Sequence, residues 1–294
     1  MRPAALALVL LAAPAARAQT PEVEAAIRAK LGAARYALRL EDPAGGFAPA
    51  AGGKPGLRAT SACVRTLKYT GTKTPNADKH AAFVMSCFDP KTGGFADAPG
   101  GKADVTLTSV GVMAAAELGV PKERYRKALD YLKDNARTFE DVRIAAAGVE
   151  AWGVKDSPFD VKPWVDAGRE HLKTVGLADA REVGSATALA LRLGGTPGQQ
   201  ERLALGGVLT GGQRPDGGWG KAGAKGSDLE TTYRVMRALV LLNEPPANPT
   251  RLRAFLASCR NADGGSGVAT GEPSGAGPTY YSAIVTHWLA GFEK

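Results

Sequence analysis

Two kinds of apolar pattern alternate along this chain. Charged stretches at about 22–40, 76–88, 122–136, 161–175, 197–209 and 249–259 place their apolar residues at helical spacing on one face. Between them, 57–69, 104–118, 141–152, 182–193, 228–242 and 279–289 are rich in Ala, Val, Leu and Thr and are apolar or small on more than one face. A helix covered on both sides has that composition. The alternation therefore predicts six outer and six inner helices, arranged as six consecutive hairpins. Gly119-Val120-Pro121, Gly195-Thr196-Pro197 and Pro245-Pro246 break the chain where one hairpin hands over to the next.

A second regularity punctuates the hairpins. Gly45-Gly46-Phe47, Gly93-Gly94-Phe95 and Gly217-Gly218-Trp219 each follow an outer segment and precede an inner one, with an eroded copy at Gly264-Gly265-Ser266. The third and fourth repeats, around Phe139 and Ala180, lack the signature. Helical repeats of roughly 40–50 residues bury their cores only by stacking. Neither end of the array carries the polar capping helix that an open stack needs, so the pattern favours a closed α/α ring, an all-α α6-α6 toroid.

Length and composition bound the function. Arg2, the apolar run from Ala4 to Ala13 and the Ala16-Arg17-Ala18 ending read as a secretory signal over residues 1–18, too short to span a bilayer. Residues 19–294 then form a single domain, exported to the periplasm or the medium, with no membrane span. The formal net charge is +8 and falls once Arg2 and Arg17 leave with the leader. So mild a bias argues weakly for anionic ligands and against nucleic acid. Three cysteines, Cys63, Cys87 and Cys259, allow one disulfide at most and read more simply as buried thiols. With three His and no Cys/His cluster, a His-rich metal site is excluded.

The repeats carry a family resemblance. Gln213-Arg214-Pro215-Asp216-Gly217-Gly218-Trp219 resembles the Q-x-x-x-G-x-W repeat of squalene-hopene cyclases, and Asp89 to Gly100 is similar to a repeat of protein prenyltransferase β subunits, nearest the Rab geranylgeranyltransferase type. The resemblance covers essentially the whole mature chain. It implies the α/α toroid and, in the transferases, a zinc held by an Asp-x-Cys and a His, with a loop lysine on a lipid diphosphate. On that pattern Asp228 matches the metal Asp and Lys225 the diphosphate Lys. Glu230 stands at the Cys position, and Tyr281, or Leu107 in the other alignment, at the His position. Only one ligand type of three is kept, and zinc favours thiolate and imidazole, so no cofactor is expected. The D-x-D-D acid of cyclases, the G-C-G-E-Q thioester turn and a G-x-S-x-G elbow are all missing from the sequence.

What remains is the ring's bore and its mouth. Inner-helix N-termini converge at the end bearing the Gly-Gly loops, and Lys221, Lys225 and Arg234 are the candidate anion or diphosphate site there. Arg234 also lies one turn after Glu230 and has a ready salt-bridge partner. Ser227-Asp228-Leu229-Glu230 reads as a capping box, which would explain Asp228 and Glu230 without a metal. Tyr233, Tyr280, Tyr281, Trp288 and Trp152 are candidates to line the bore, although aromatic residues make up only 6% of the chain. Three readings follow: an exported member that binds a lipid-like or peptide ligand without zinc catalysis, a prenyltransferase-like enzyme acting on an isoprenoid diphosphate, or a protein-interaction module.

Overall fold

The alternating pattern becomes twelve α-helices in a computed structural model that describes residues 21–292; the leader expected over residues 1–18 lies outside them. The outer helices are α1 (Pro21–Arg39), α3 (Ala77–Ser86), α5 (Lys127–Asn135), α7 (Lys162–Val175), α9 (Gln199–Gly211) and α11 (Pro249–Ser258). The inner ones are α2 (Leu57–Thr70), α4 (Val105–Glu117), α6 (Phe139–Trp152), α8 (Ala180–Arg192), α10 (Leu229–Leu242) and α12 (Ala276–Gly291). Among the described residues no strand ladder forms, only isolated bridges at the Gly-Gly loops. Each inner helix packs on the next, and α12 packs back on α2 while α1 packs on α12. The ring is closed.

Closure and stacking share one device. The N–H groups of Phe47, Phe95 and Trp219 donate to the hydroxyls of Thr60, Thr108 and Thr232, each at 3.0 Å and each thirteen residues downstream on the following inner helix. Ser266 repeats the contact with Thr279 at 2.9 Å. The three aromatic side chains are then fully buried between neighbouring hairpins. The first glycine of each pair is required twice over. At Gly217 φ is +100°, and a Cβ would lie 2.1 Å from the Arg251 carbonyl oxygen of α11. Gly264 makes the same approach to Gly32 of α1, so the last loop docks on the first helix.

Two boundaries differ from the sequence pattern for visible reasons. The outer segment 122–136 is split into a 3₁₀ turn, Lys122–Arg124, and α5, because Tyr125 turns inward to pack edge-on against Trp152 at 5.2 Å. Helix α6 starts at Phe139 because Thr138 and Asp141 form a capping box: the Asp141 N–H donates to Thr138 Oγ1 at 3.1 Å and the Thr138 N–H to Asp141 Oδ2 at 3.0 Å. Small residues set the spacing of the inner layer. A Cβ on Gly148 of α6 would lie 2.9 Å from Ser109 Oγ of α4, and one on Gly184 of α8 would lie 3.1 Å from Val235 Cα of α10. All three cysteines are free and buried.

Candidate ligand site in the bore

All inner helices run the same way, so the bore has an N-terminal end, where the Gly-Gly loops enter, and a C-terminal end. At the N-terminal end, loop 220–227 is stapled by Arg214, whose guanidinium donates to the carbonyls of Ala224 at 2.9 Å, Gly226 at 2.6 Å and Lys221 at 2.8 Å. Lys221 and Lys225 stand exposed on this loop. Arg234 is instead buried in α10, 2.7 Å from Glu230 Oε1 and 3.0 Å from Glu140 Oε1. The ion pair foreseen with Glu230 is therefore present, and the structure shows no contact joining Arg234 to the two lysines.

The positions that the resemblance assigns to a metal are engaged elsewhere. Asp228 is the N-cap of α10: its Oδ1 accepts from the Thr231 N–H and its Oδ2 from the Thr231 hydroxyl, both at 2.8 Å. This corrects the expected Ser227/Glu230 box, since Ser227 donates its hydroxyl to Asp216 at 2.7 Å and Glu230 pairs with Arg234. Burial pushes the Tyr281 phenol up to about 12, which keeps it neutral and unsuited to ligation. Burial likewise raises Cys63 to about 12 and Cys87 and Cys259 to about 11. Among the described residues no three His, Cys, Asp or Glu side chains are grouped as a metal would need. The residues present do not fit a thiolate and imidazole zinc site.

An ion network fills the N-terminal part of the bore. Glu182 joins His171 at 3.1 Å and Arg181 at 2.7 Å, and Arg181 reaches Glu230 at 3.7 Å. Arg234 then links Glu230 to Glu140, which also takes Arg143 at 2.6 Å. Burial opposes ionisation of Glu140, but the guanidinium groups of Arg143 and Arg234 prevail and hold its carboxyl at about 2. Deeper lies an aromatic wall on the α10–α12 seam. Tyr233 stacks on Tyr281 at 4.9 Å and on Trp288 at 5.6 Å, with Tyr280 at 5.8 Å. Four of the five aromatics expected in the bore are thus brought together. Trp152 is not among them, because it faces Tyr125 and Lys122.

The C-terminal end holds an open chamber of about 300 Å³ between α2, α4, α6, α8 and α10. Arg65, Lys68, Arg192 and Arg237 face it, with Glu117 and Glu150. Glu150 accepts from Arg192 at 3.1 Å and from Arg237, and Glu117 from Lys68 at 2.7 Å. Burial alone would raise the Tyr233 phenol, yet the charges of Arg192, Arg65 and Arg237 draw it down to about 7. The sequence reading missed Arg65 and Arg192. Their signal was available: both are cations inside inner segments that are otherwise apolar.

The Prenyltransferase alpha-alpha toroid domain matches residues 63–133 and 181–293, more than half of the chain. The chain belongs to this family. No curated protein matches it. Among solved structures, the toroid is similar to the type II terpene cyclase MstE from Scytonema, in complex with its product merosterolic acid A. That similarity has a TM-score of 0.60 and 14% identity, over 92% of this chain and 97% of that one. A protein from Actinoplanes matches with a TM-score of 0.60 and 15% identity, over 92% and 99%. At such identities the likeness shows the fold alone. Nearness to the Rab geranylgeranyltransferase type is not shown by these matches.

Proposed function

We propose that the protein is an exported member of the toroid family that holds a lipid-like ligand inside the ring without zinc-dependent catalysis. The observation that carries this reading is the pairing of functions in the bore. The positions for a zinc site are taken by a helix cap, an ion pair and a neutral phenol, while a chamber of about 300 Å³ stays open, lined by Tyr69 and by Arg65 and Arg237, which lie over the Tyr280 and Trp288 rings of the aromatic wall. Such a concave site with a few convergent polar groups is the usual form of a small-molecule pocket. The terpene cyclase neighbour, similar in fold, is in complex with merosterolic acid A, which supports a lipid-like ligand class. The leader read in residues 1–18 supports export. No described helix is long and apolar enough to cross a membrane.

The test is native mass spectrometry with metal analysis on the full chain secreted from its own leader. The reading expects a small organic molecule retained by the folded protein, substoichiometric zinc, and a mature N-terminus near Gln19. Stoichiometric zinc, lost on Asp228→Ala, would restore the transferase reading. A folded ring that retains no small molecule and binds none would leave the interaction-module reading.

A further inference from the structure

The C-terminal chamber carries more positive charge than its own carboxylates neutralise. Lys68 is matched by Glu117, and Arg192 and Arg237 share Glu150. Arg65 has no carboxylate within ion-pair distance. Its neighbours are the Tyr69 phenol, which accepts from it, Met113 Sδ at 3.5 Å and the Tyr280 ring, whose centroid lies 4.6 Å from the guanidinium carbon. A guanidinium has five N–H donors and no acceptor, and a thioether and a ring face are weak substitutes for oxygen. A further donor beside it is orphaned, since Arg237 Nε is buried without a hydrogen-bond partner. The C-termini of the inner helices favour cations at this end. Beyond Tyr69 no oxygen is aimed at Arg65, so most of its donors are left without one.

The opposite wall is of another kind. Met113 and Ala116 of α4 and Ala147 and Ala151 of α6 present short apolar side chains to the same space. One side of the chamber is therefore cationic, and the other is apolar apart from Glu117 and Glu150, which are engaged by Lys68 and by Arg192 and Arg237. Its volume lies at the lower limit for small-molecule pockets, which excludes a long isoprenoid chain held wholly within it.

We propose that this chamber binds a small organic oxyanion, a carboxylate or phosphate monoester on a short apolar body. Arg65 is its principal anchor, Arg192 and Arg237 flank it, and the apolar body lies against α4 and α6. The fork geometry of guanidinium suits a planar or tetrahedral oxyanion taken by two oxygens. The same three guanidinium groups, Arg192, Arg65 and Arg237, depress the Tyr233 phenol. This inference rests on the reading of the ring as a binding protein. It places the anion site at the end opposite the Lys221 and Lys225 loop.

Titration calorimetry on the full mature chain, with hexyl phosphate, hexanoate and inorganic phosphate as probes and hexanol as the uncharged control, tests it. The expected result is saturable one-site binding of hexyl phosphate or hexanoate, weaker binding of inorganic phosphate and none of hexanol. Arg65→Met should weaken binding at least tenfold while the ligand-free protein melts no lower than the parent, because a half-buried cation with no carboxylate partner has been removed. Arg65→Lys keeps the charge without the fork and should fall between. Absence of binding by every probe, or unchanged affinity in Arg65→Met, overturns the proposal. So does loss of binding in Lys225→Ala but not in Arg65→Met. If a co-purified molecule is retained while these probes fail, the oxyanion chemistry is wrong and the binding reading stands; if both fail, that reading falls as well.

Discussion

Substituting Glu150 by Gln isolates the charge that holds the chamber together. Glu150 is the carboxylate shared by Arg192 and Arg237, and Gln keeps the shape and one acceptor while removing the negative charge. Breaking a fully buried pair from one side typically costs about 3–5 kcal/mol, and an exposed pair about 0–1 kcal/mol. Here the arginine side chains are 10% and 17% exposed and the glutamate 31%, so the cost lies between these limits, at about 2 kcal/mol. For a domain of this size each kcal/mol moves Tm by roughly 2–4 °C, which gives a fall of roughly 4–8 °C. The same change frees two guanidinium groups and removes the charge that competes with an anionic ligand. Phosphate should therefore bind Glu150→Gln more tightly than the parent. A ligand at one hundred times its Kd returns about 2.7 kcal/mol, enough to restore the loss. Thermal melts of both proteins across a phosphate series, with ionic strength held constant by chloride, provide the assay. A variant that melts with the parent, or that is destabilised equally at every phosphate concentration, would refute the reasoning.

Trp219 tests the repeat device. Trp219→Ala should cost about 3–5 kcal/mol through the cavity it leaves, and Trp219→Phe about 1 kcal/mol beyond the lost volume, because the indole N–H donates to the Leu209 carbonyl at 2.8 Å. Urea unfolding of the two variants measures both costs, and a Trp219→Phe cost no larger than its lost volume alone requires would show that the hydrogen bond contributes nothing. For Tyr233, a tyrosinate signal should titrate near pH 7 and vanish in Tyr233→Phe. Its folded pKa lies below the ordinary value of about 10, so the unfolded chain binds more protons between the two. The Tyr233 contribution should therefore be fully present above about pH 10 and be lost as pH falls through about 7, which urea unfolding across that window checks. Asp228→Ala should cost about 1 kcal/mol, the worth of a helix cap, and leave the metal content of the purified protein unchanged.

Much of the architecture was legible because its two layers bury different fractions of their surface. Half-apolar outer helices and all-round apolar or small inner helices are distinct patterns, and the Gly-Gly-aromatic turns fixed their order. The thirteen-residue link from each turn to a threonine was also written in the chain, at Thr60, Thr108, Thr232 and Thr279, but a lone threonine in an apolar segment reads as packing until its partner is seen. Helix starts were displaced where local chemistry overrode periodicity, as at Thr138 and Tyr125. The site was less legible. Sequence reasoning follows motifs, and the family motif drew attention to the Lys225 and Asp228 loop. Arg65 and Arg192 lie in no motif and come together only when α2 and α8, distant in sequence, face each other across the closed ring.

A crystal structure of the protein grown with hexyl phosphate tests the central claim most directly. The account predicts a phosphate group within hydrogen-bond distance of the Arg65 guanidinium, flanked by Arg192 and Arg237, with the hexyl chain against Ala116, Ala147 and Ala151. A phosphate bound instead at Lys221 and Lys225, with the C-terminal chamber unchanged, would contradict it.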